Sequence, residues 1–316
     1  MVNRLAVAKA HCSAANLGPG FDVFGLSLNK YADTVRVELV ENKTITIRVK
    51  GLYRDVVPLA PGKNSAGPPA LELLSRARVR KGLKITIEKN VPPGLGLGSS
   101  GATAAACTKA LDSLLETNLS DHELVQVASL GEAAVAGTPH ADNVAASLLG
   151  GFVMVYGEKP LRVVSTRPPK GLAAVVVTPR VQMPKEKTKL ARRLVPRTVE
   201  LHNLVLNVGL ASAMALGFAR GDIELIGEGM NDEVVEPRRE QLVPGYRAAK
   251  KAALRAHAAG VAISGAGPSM IALVNRTRQD PSHVGNAMVG QLSRNGVKAS
   301  FFTTSPSPGA RIIRRA

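Results

Sequence analysis

The segment Pro92-Pro-Gly-Leu-Gly-Leu-Gly-Ser-Ser-Gly101 constrains this chain more than any other. Gly94, Gly96 and Gly98 alternate with Leu95 and Leu97, a pattern incompatible with regular helix or strand. The stretch that follows, 101–115, is rich in Ala and Leu, which predicts a strong helix. Glycines let the backbone turn sharply and bring N–H groups close to an anion. The helix start adds unsatisfied N–H groups and the positive end of a dipole. Ser99 and Ser100 can offer hydroxyls to a phosphate oxygen or to Mg²⁺. The segment therefore reads as a phosphate-binding loop. It is not a Walker A loop, because no lysine precedes its serines. Nor is it a dinucleotide fingerprint, since the preceding strand belongs to an antiparallel-type set.

That set is legible in the first third of the chain. Residues 5–11 are a short apolar run, and TVRVEL (34–39), TITIRV (44–49) and LKITIE (83–88) alternate with period two. The sheet they predict is mostly antiparallel with one wet face. Helices are expected over 64–78, over 121–136 with Ser120 or Asp121 as cap, and over 142–149, then an apolar strand over 151–156. Arg, Pro and Lys crowd together in STRPPKG (165–171), which marks a boundary between a domain at 1–165 and another at 166–316. Beyond it come a buried strand (172–178), helices near 186–194, 199–219, 222–229 and 244–259, strands at 261–264 and 270–274 around a glycine-rich turn, a helix at 282–295 and a final strand at 297–303.

Composition narrows the class. Hydrophobic residues make up 45% but aromatics only 3%, with no Trp, so the core must be built from Ala, Val, Leu and Ile, as in an α/β or α+β enzyme. Cys12 and Cys107 read as free buried thiols, and no Cys/His cluster suggests zinc. The N-terminal residues lack a signal peptide's apolar run, and no stretch of about 18 consecutive apolar residues suggests a membrane span. The expectation is a soluble cytoplasmic protein. The net charge of +17 raises nucleic-acid binding. However, the basic clusters (Lys185, Lys187, Lys189, Arg192, Arg193, Arg197; Arg311, Arg314, Arg315) carry no interleaved aromatics for base stacking, which argues against it.

Several motifs together resemble a known family. Pro92, Gly96, Leu97, Ser99 and Ser100 match the Pro-x-x-x-Gly-Leu-x-Ser-Ser-Ala loop of the GHMP small-molecule kinases, departing only at Gly101. SAANLGPGFDVFGLSL (13–28), with Asn16 and Asp22, resembles the amino-terminal signature of the homoserine kinase branch. So does the run from Gly131-Glu132 to Gly-Thr-Pro-His140-Ala-Asp-Asn143-Val144. Val261 to Leu273, around Gly265 and Gly267, is similar to the superfamily's carboxy-terminal glycine motif. Thr188-Lys-Leu-Ala-Arg192 resembles a Ser-Thr-x-x-Ala-Arg segment, and Glu236-Pro-Arg-Arg239 resembles Glu-Pro-x-Arg.

The resemblance implies an α+β, two-domain fold: a ribosomal protein S5 domain 2-like first domain and a ferredoxin-like second, with the site between them and a homodimer as the common assembly. It implies transfer of the ATP γ-phosphate to the hydroxyl of L-homoserine, as in threonine biosynthesis. ATP would lie over Pro92, Pro93, Gly94, Leu95, Gly96, Leu97, Gly98, Ser99, Ser100, Gly101 and Ala102, with Asn64 at the base. Mg²⁺ would be held by Glu132 and Ser100. Asp22 would take the substrate ammonium; Arg192 and Arg239 would take its carboxylate, with Arg193 and Arg238 as adjacent alternatives. Asn16, His140, Thr188 and Gly265 would complete the pocket. Asn143 would orient the hydroxyl, and Asp142 reads as a capping or structural residue. Mevalonate- or shikimate-type kinases share the loop but not the amino-acid pocket.

Overall fold

The computed structural model describes residues 4–137, 140–182 and 187–316. Thr138 and Pro139 of the histidine segment, Lys185 of the basic cluster and residue 186 of the expected helix lie outside these. Among the described residues the chain runs β1 (Leu5–Asn16), β2 (Gly20–Val40), β3 (Ile45–Lys50), α1 (Gly67–Arg76), β4 (Gly82–Glu88), α2 (Ser99–Leu115), α3 (Asp121–Ala136), α4 (Ala141–Leu149), β5 (Phe152–Glu158), β6 (Leu161–Thr166), β7 (Leu172–Pro179), α5 (Lys187–Arg193), α6 (Leu201–Arg220), α7 (Ile223–Glu228), α8 (Glu236–Arg239), α9 (Tyr246–Arg255), β8 (Gly260–Ile263), β9 (Met270–Asn275), α10 (Pro281–Arg294), β10 (Ala299–Thr304) and β11 (Arg311–Arg315).

The period-two segments form one sheet in the order β11-β1-β2-β4-β3, with β5 and β6 added through β2. The long β2 pairs with β1 along one edge and serves two partners along the other, β5 at Phe24–Leu26 and β4 at Thr34–Val40. Pairing is antiparallel except between β3 and β4. The inward residues Val35, Val37, Ile85 and Ile87 meet α1 to α4. On β1 the inward residues are Ala6, Ala8 and Ala10, and α2 answers with Ala104, Ala105, Ala106 and Ala110. Small side chains on both surfaces let helix and strand approach closely, which is what the Ala-rich composition is for. Ser120 caps α3 in a capping box with Glu123.

The second sheet, β10-β7-β9-β8, is antiparallel throughout. Its strand β7 is buried on both faces, so it reads as a continuous apolar run. Val175 and Val177 face a core under α9 and α10. Leu172, Ala174 and Val176 face another, which also contains Leu17, Phe24 and Leu26 of the first domain and Met214 and Phe218 of α6. Phe152 stacks on Phe218 at 3.9 Å and meets Phe24 edge-on at 5.0 Å. The two domains thus share one apolar core, and three of the chain's few aromatics lie in it.

The structure corrects several sequence expectations. Residues 13–28 form two strands joined at a sharp turn, because β1 runs on to Asn16 and β2 begins at Gly20. The strand β6 (Leu161–Thr166), which runs up to the expected domain boundary, and the short helix α8 were not anticipated. The strand at 297–303 is not the last. β11 follows and pairs with β1, Ala6 opposite Arg315 and Lys9 opposite Arg311, so the chain's final segment belongs to the first sheet. Its sequence RIIRR hides it: a charged edge strand shows little alternation. Finally, α6 is long and apolar enough to cross a membrane by length and composition, although polar residues such as His202, Asn203 and Asn207 interrupt its apolar runs. It is mostly exposed, with Met214, Gly217 and Phe218 packed inward.

One buried ion pair joins these elements beneath the glycine loop. Lys89, just after β4, donates to Asp33 of β2; their side chains are 3% and 0% exposed. Asp33 also accepts from the Asn90 N–H at 2.8 Å, the Val91 N–H at 2.9 Å and Thr103 Oγ1 at 2.6 Å. Lys89 Nζ donates further to the Ser99 carbonyl at 2.7 Å. Removing one partner leaves a desolvated charge. Asp33→Ala is therefore expected to cost about 3–5 kcal/mol in denaturant unfolding. The Asp33→Ala, Lys89→Met pair should cost less than the two single changes added together.

Candidate active site

The motifs singled out in the sequence converge on one cavity of about 440 Å³ between the domains. Its floor is the loop before α2. Gly94, Gly96 and Gly98 all take left-handed φ (75°, 78° and 59°), and Gly98 caps α2, so the helix N-terminus opens onto the cavity at Ser99 and Ser100. The glycines differ in their reasons. A Cβ on Gly94 would meet nothing within 4 Å, whereas one on Gly96 would lie 2.2 Å from the Ser264 carbonyl oxygen. Gly96 is thus required by close approach to the second glycine loop. Ser264 Oγ donates to the Gly96 carbonyl at 2.7 Å, and the Gly265 N–H to the Ala15 carbonyl at 3.0 Å.

Of the residues expected around ATP, Asn64, Pro93, Gly94, Gly96, Leu97, Gly98, Ser99 and Ser100 line the cavity. Pro92, Leu95, Gly101 and Ala102 do not, and stand behind it as support. Ser99 Oγ donates to the Val91 carbonyl at 2.8 Å, which leaves Ser100 as the more available hydroxyl. Asn64 uses both ends of its amide internally, donating to the Pro58 carbonyl at 2.6 Å and accepting from the Ala66 N–H at 2.9 Å. Val56, Val57 and Pro58 add an apolar wall beside it that the sequence reading did not anticipate.

The opposite wall carries charge. Glu132 is 5% exposed, and its Oε1 has no hydrogen-bond partner among the described residues. That oxygen lies 3.4 Å from where a Cβ on Gly101 would sit, so it faces the first turn of α2. A buried, unsatisfied carboxylate oxygen beside a hydroxyl and a phosphate loop suits a hard cation completed by water and phosphate oxygens. His140 Nδ1 lies 3.8 Å from Glu132 Oε2. Burial alone would lower the His140 pKa, but Glu132, Asp142 and Asp22 outweigh burial and hold the imidazole above its ordinary value. Burial, with the charge of Asp22, pushes Asp142 up to about 6. Asp142 Oδ1 accepts from the Asn143 backbone N–H at 2.7 Å and from its Nδ2 at 3.3 Å. Ser13 Oγ donates to Asn143 Oδ1 at 3.1 Å. The Asn143 amide is thereby oriented, with its second N–H left over.

The turn between β1 and β2 presents the remaining groups. Asn16, Leu17 and Asp22 all take positive φ, a strained conformation that requires outside support. Leu17 is fully buried, and Asn16 is fixed at both ends of its amide. It donates to the Gly265 carbonyl at 2.9 Å and accepts from the Asp22 N–H at 3.2 Å. Asp22 pairs with Arg192, and the guanidinium groups of Arg192 and Arg239 lie 5.3 and 4.7 Å from the Phe21 ring. Arg239 Nε donates to the Ala191 carbonyl at 3.0 Å. Arg192 and Arg239 line the cavity with Thr188 and Gly265, while their neighbours Arg193 and Arg238 are exposed and do not.

Sequence reasoning missed Phe21, Ser13, Lys89 and Lys187. Lys187 reads as one of a solvated basic cluster; it is instead buried against both glycine loops, and burial together with the charge of Arg239 lowers it to about 8. The available signal was its position immediately before Thr188. Cys12 and Cys107 are free and buried, as expected, and burial raises both thiols, to about 11 and 12.

With this geometry, comparison with known proteins places the chain. The GHMP kinases N terminal domain matches residues 66–151, and the GHMP kinases C terminal domain matches 213–294. The chain belongs to the GHMP kinases. A homoserine kinase of Saccharolobus solfataricus is 42% identical over 270 residues, 85% of this chain and 86% of that one. A homoserine kinase of Sulfurisphaera tokodaii is 37% identical over 309 residues, 98% and 99% of the two chains. The crystal structure of a homoserine kinase from Cytophaga hutchinsonii superposes with a TM-score of 0.89 at 32% identity, covering 98% of each chain. Among the GHMP kinases, the chain is a member of the homoserine kinase family.

The two glycines give a direct test of the loop. Gly94→Ala, strained but uncrowded, is expected to cost about 1–2 kcal/mol in thermal unfolding. Gly96→Ala also drives a Cβ into the Ser264 carbonyl; it should cost clearly more and raise KM for ATP, while Gly94→Ala leaves that KM closer to wild type.

Proposed function

We propose that the chain transfers the γ-phosphate of ATP to the side-chain hydroxyl of L-homoserine, giving O-phospho-L-homoserine and ADP. The observation that carries this reading is a cavity with a glycine loop at a helix N-terminus on one side and, on the other, the Asp22 carboxylate beside two guanidinium groups that are held against the Phe21 ring. Such a set fits a small zwitterion. Asp22 and Arg192 pair with each other; an amino acid would offer its ammonium to Asp22 and its carboxylate to Arg192 and Arg239.

The triphosphate would lie over 94–100, where turned backbone N–H groups and the α2 N-terminus meet its charge. The Val56–Pro58 wall would cover the base. Glu132 and Ser100 would hold a Mg²⁺ ion, which when bound would neutralise phosphate charge. Asn143, oriented by Ser13 and Asp142, would direct its second N–H at the substrate hydroxyl oxygen. His140, biased towards its charged form, would stabilise negative charge rather than accept a proton. The oxygen attacks phosphorus as the bond to the leaving ADP oxygen breaks, and the hydroxyl proton leaves late, to a phosphoryl oxygen or water. Phosphoryl transfer asks mainly for positioning and charge neutralisation, so no strong base is required.

The test is ATP turnover with L-homoserine, L-serine, L-threonine, shikimate and mevalonate. Homoserine should be the preferred acceptor, and Glu132→Ala should abolish turnover. Arg239→Ala should raise KM for homoserine about tenfold to a hundredfold, the worth of a lost charge-assisted hydrogen bond. Turnover only with shikimate or mevalonate would overturn the assignment of Asp22, Arg192 and Arg239.

A further inference from the structure

We propose that Lys187 is a positioning residue for the nucleotide phosphates: its ammonium clasps the phosphate loop of the first domain to the glycine loop of the second and supplies the fixed cation that the loop sequence lacks. This rests on the reading of the cavity as a kinase site.

Lys187 Nζ donates to the Gly94 carbonyl at 2.8 Å and to the Gly267 carbonyl. Its residue is only 7% exposed, yet it lines the cavity. The two acceptors belong to the opposed loops, and both sit at left-handed glycines, Gly94 and Gly267. Carbonyl oxygens in a phosphate-binding wall present their negative ends to a polyanion; an ammonium bonded to both removes that penalty. An ammonium has three N–H groups, two used here, so a third remains for a phosphate oxygen.

Lys63, beside Asn64, and Lys189 also line the cavity, and three further cations there are committed to other groups. Lys89 is held by Asp33, Arg192 pairs with Asp22, and Arg239 is fixed on the Ala191 carbonyl. Among the described residues Lys187 has no carboxylate partner. Its charge, in a site of low dielectric, is therefore left for a ligand that brings negative charge of its own. The loop between Pro92 and Gly101 contains no lysine. Lys187 enters from α5, over 80 positions away in sequence, at the place where the resembling Ser-Thr-x-x-Ala-Arg segment carries serine.

The experiment is calorimetric titration of wild type, Lys187→Met and Lys187→Arg with ATP and, separately, with adenosine, alongside homoserine turnover and thermal unfolding. Kd for ATP should rise about tenfold to a hundredfold in Lys187→Met. Adenosine binding should change by less than about twofold, and Lys187→Arg should recover most of the loss. A merely structural staple would lower the unfolding midpoint and leave the ratio of the two affinities unchanged, which would overturn the proposal. So would an ATP affinity within about twofold of wild type. If Lys187→Met does not fold, Lys187→Ser carries the same comparison. If ATP affinity falls as expected but no homoserine is phosphorylated by wild type, the clasp stands and the substrate assignment fails. If wild type phosphorylates homoserine and the variants bind ATP normally, the clasp alone fails.

Discussion

The site depends on the Asp33–Lys89 ion pair. Lys89 precedes the glycine loop and Ser99 ends it, and a single hydrogen bond from Lys89 Nζ to the Ser99 carbonyl closes that loop on itself. Asp33 gathers the backbone of Asn90 and Val91 and the hydroxyl of Thr103 around the same point. A glycine-rich loop has high conformational entropy when free. Here its ends are anchored in a buried, hydrogen-bonded network, while Pro93, Gly94, Gly96, Leu97, Gly98 and Ser99 line the cavity. Buried charge is costly to assemble but costly also to disrupt, which makes this an all-or-none anchor.

The loop's middle is shaped from the other domain. The Ser264 hydroxyl and carbonyl press on Gly96, Lys187 reaches Gly94, and Asn16 holds Gly265. Neither glycine loop is complete alone. The strained turn that carries Asn16, Leu17 and Asp22 is held in the same way, by burial of Leu17 in the core both domains share and by the Asn16 amide. The cavity-lining groups of this turn are therefore fixed by contacts made across the boundary as well as within the first domain.

Much of this was legible in the sequence, for local reasons. Period-two strands, the capped helix at Asp121 and the glycine loop each announce themselves within a few residues. Arg192 and Arg239 were preferred over Arg193 and Arg238 from motif resemblance, and both line the cavity, but the pairing of Arg192 with Asp22 was not legible, because it depends on which face of a short helix meets the cavity. Lys187 was hidden among surface lysines, since burial is a property of the neighbours and not of the residue. Asn64 shows the reverse case. Its place at the cavity was readable, but its amide is consumed by Pro58 and Ala66, partners that only the folded turn supplies. The strand β11 was hidden because an edge strand of arginines obeys no apolar alternation.

That last strand changes what the second domain is. The chain leaves the first sheet after β6 and re-enters it at β11, so the second domain is an insertion held by two tethers. The tethers do not stand apart: the Ser165–Leu172 and Ser305–Gly309 segments line a common cleft. The shared apolar core and the hydrogen bonds between the glycine loops add to these two tethers, so the second domain is held against the first at several separate places and Lys187, Arg192, Arg239 and the Gly265 loop keep fixed positions opposite the glycine loop before α2.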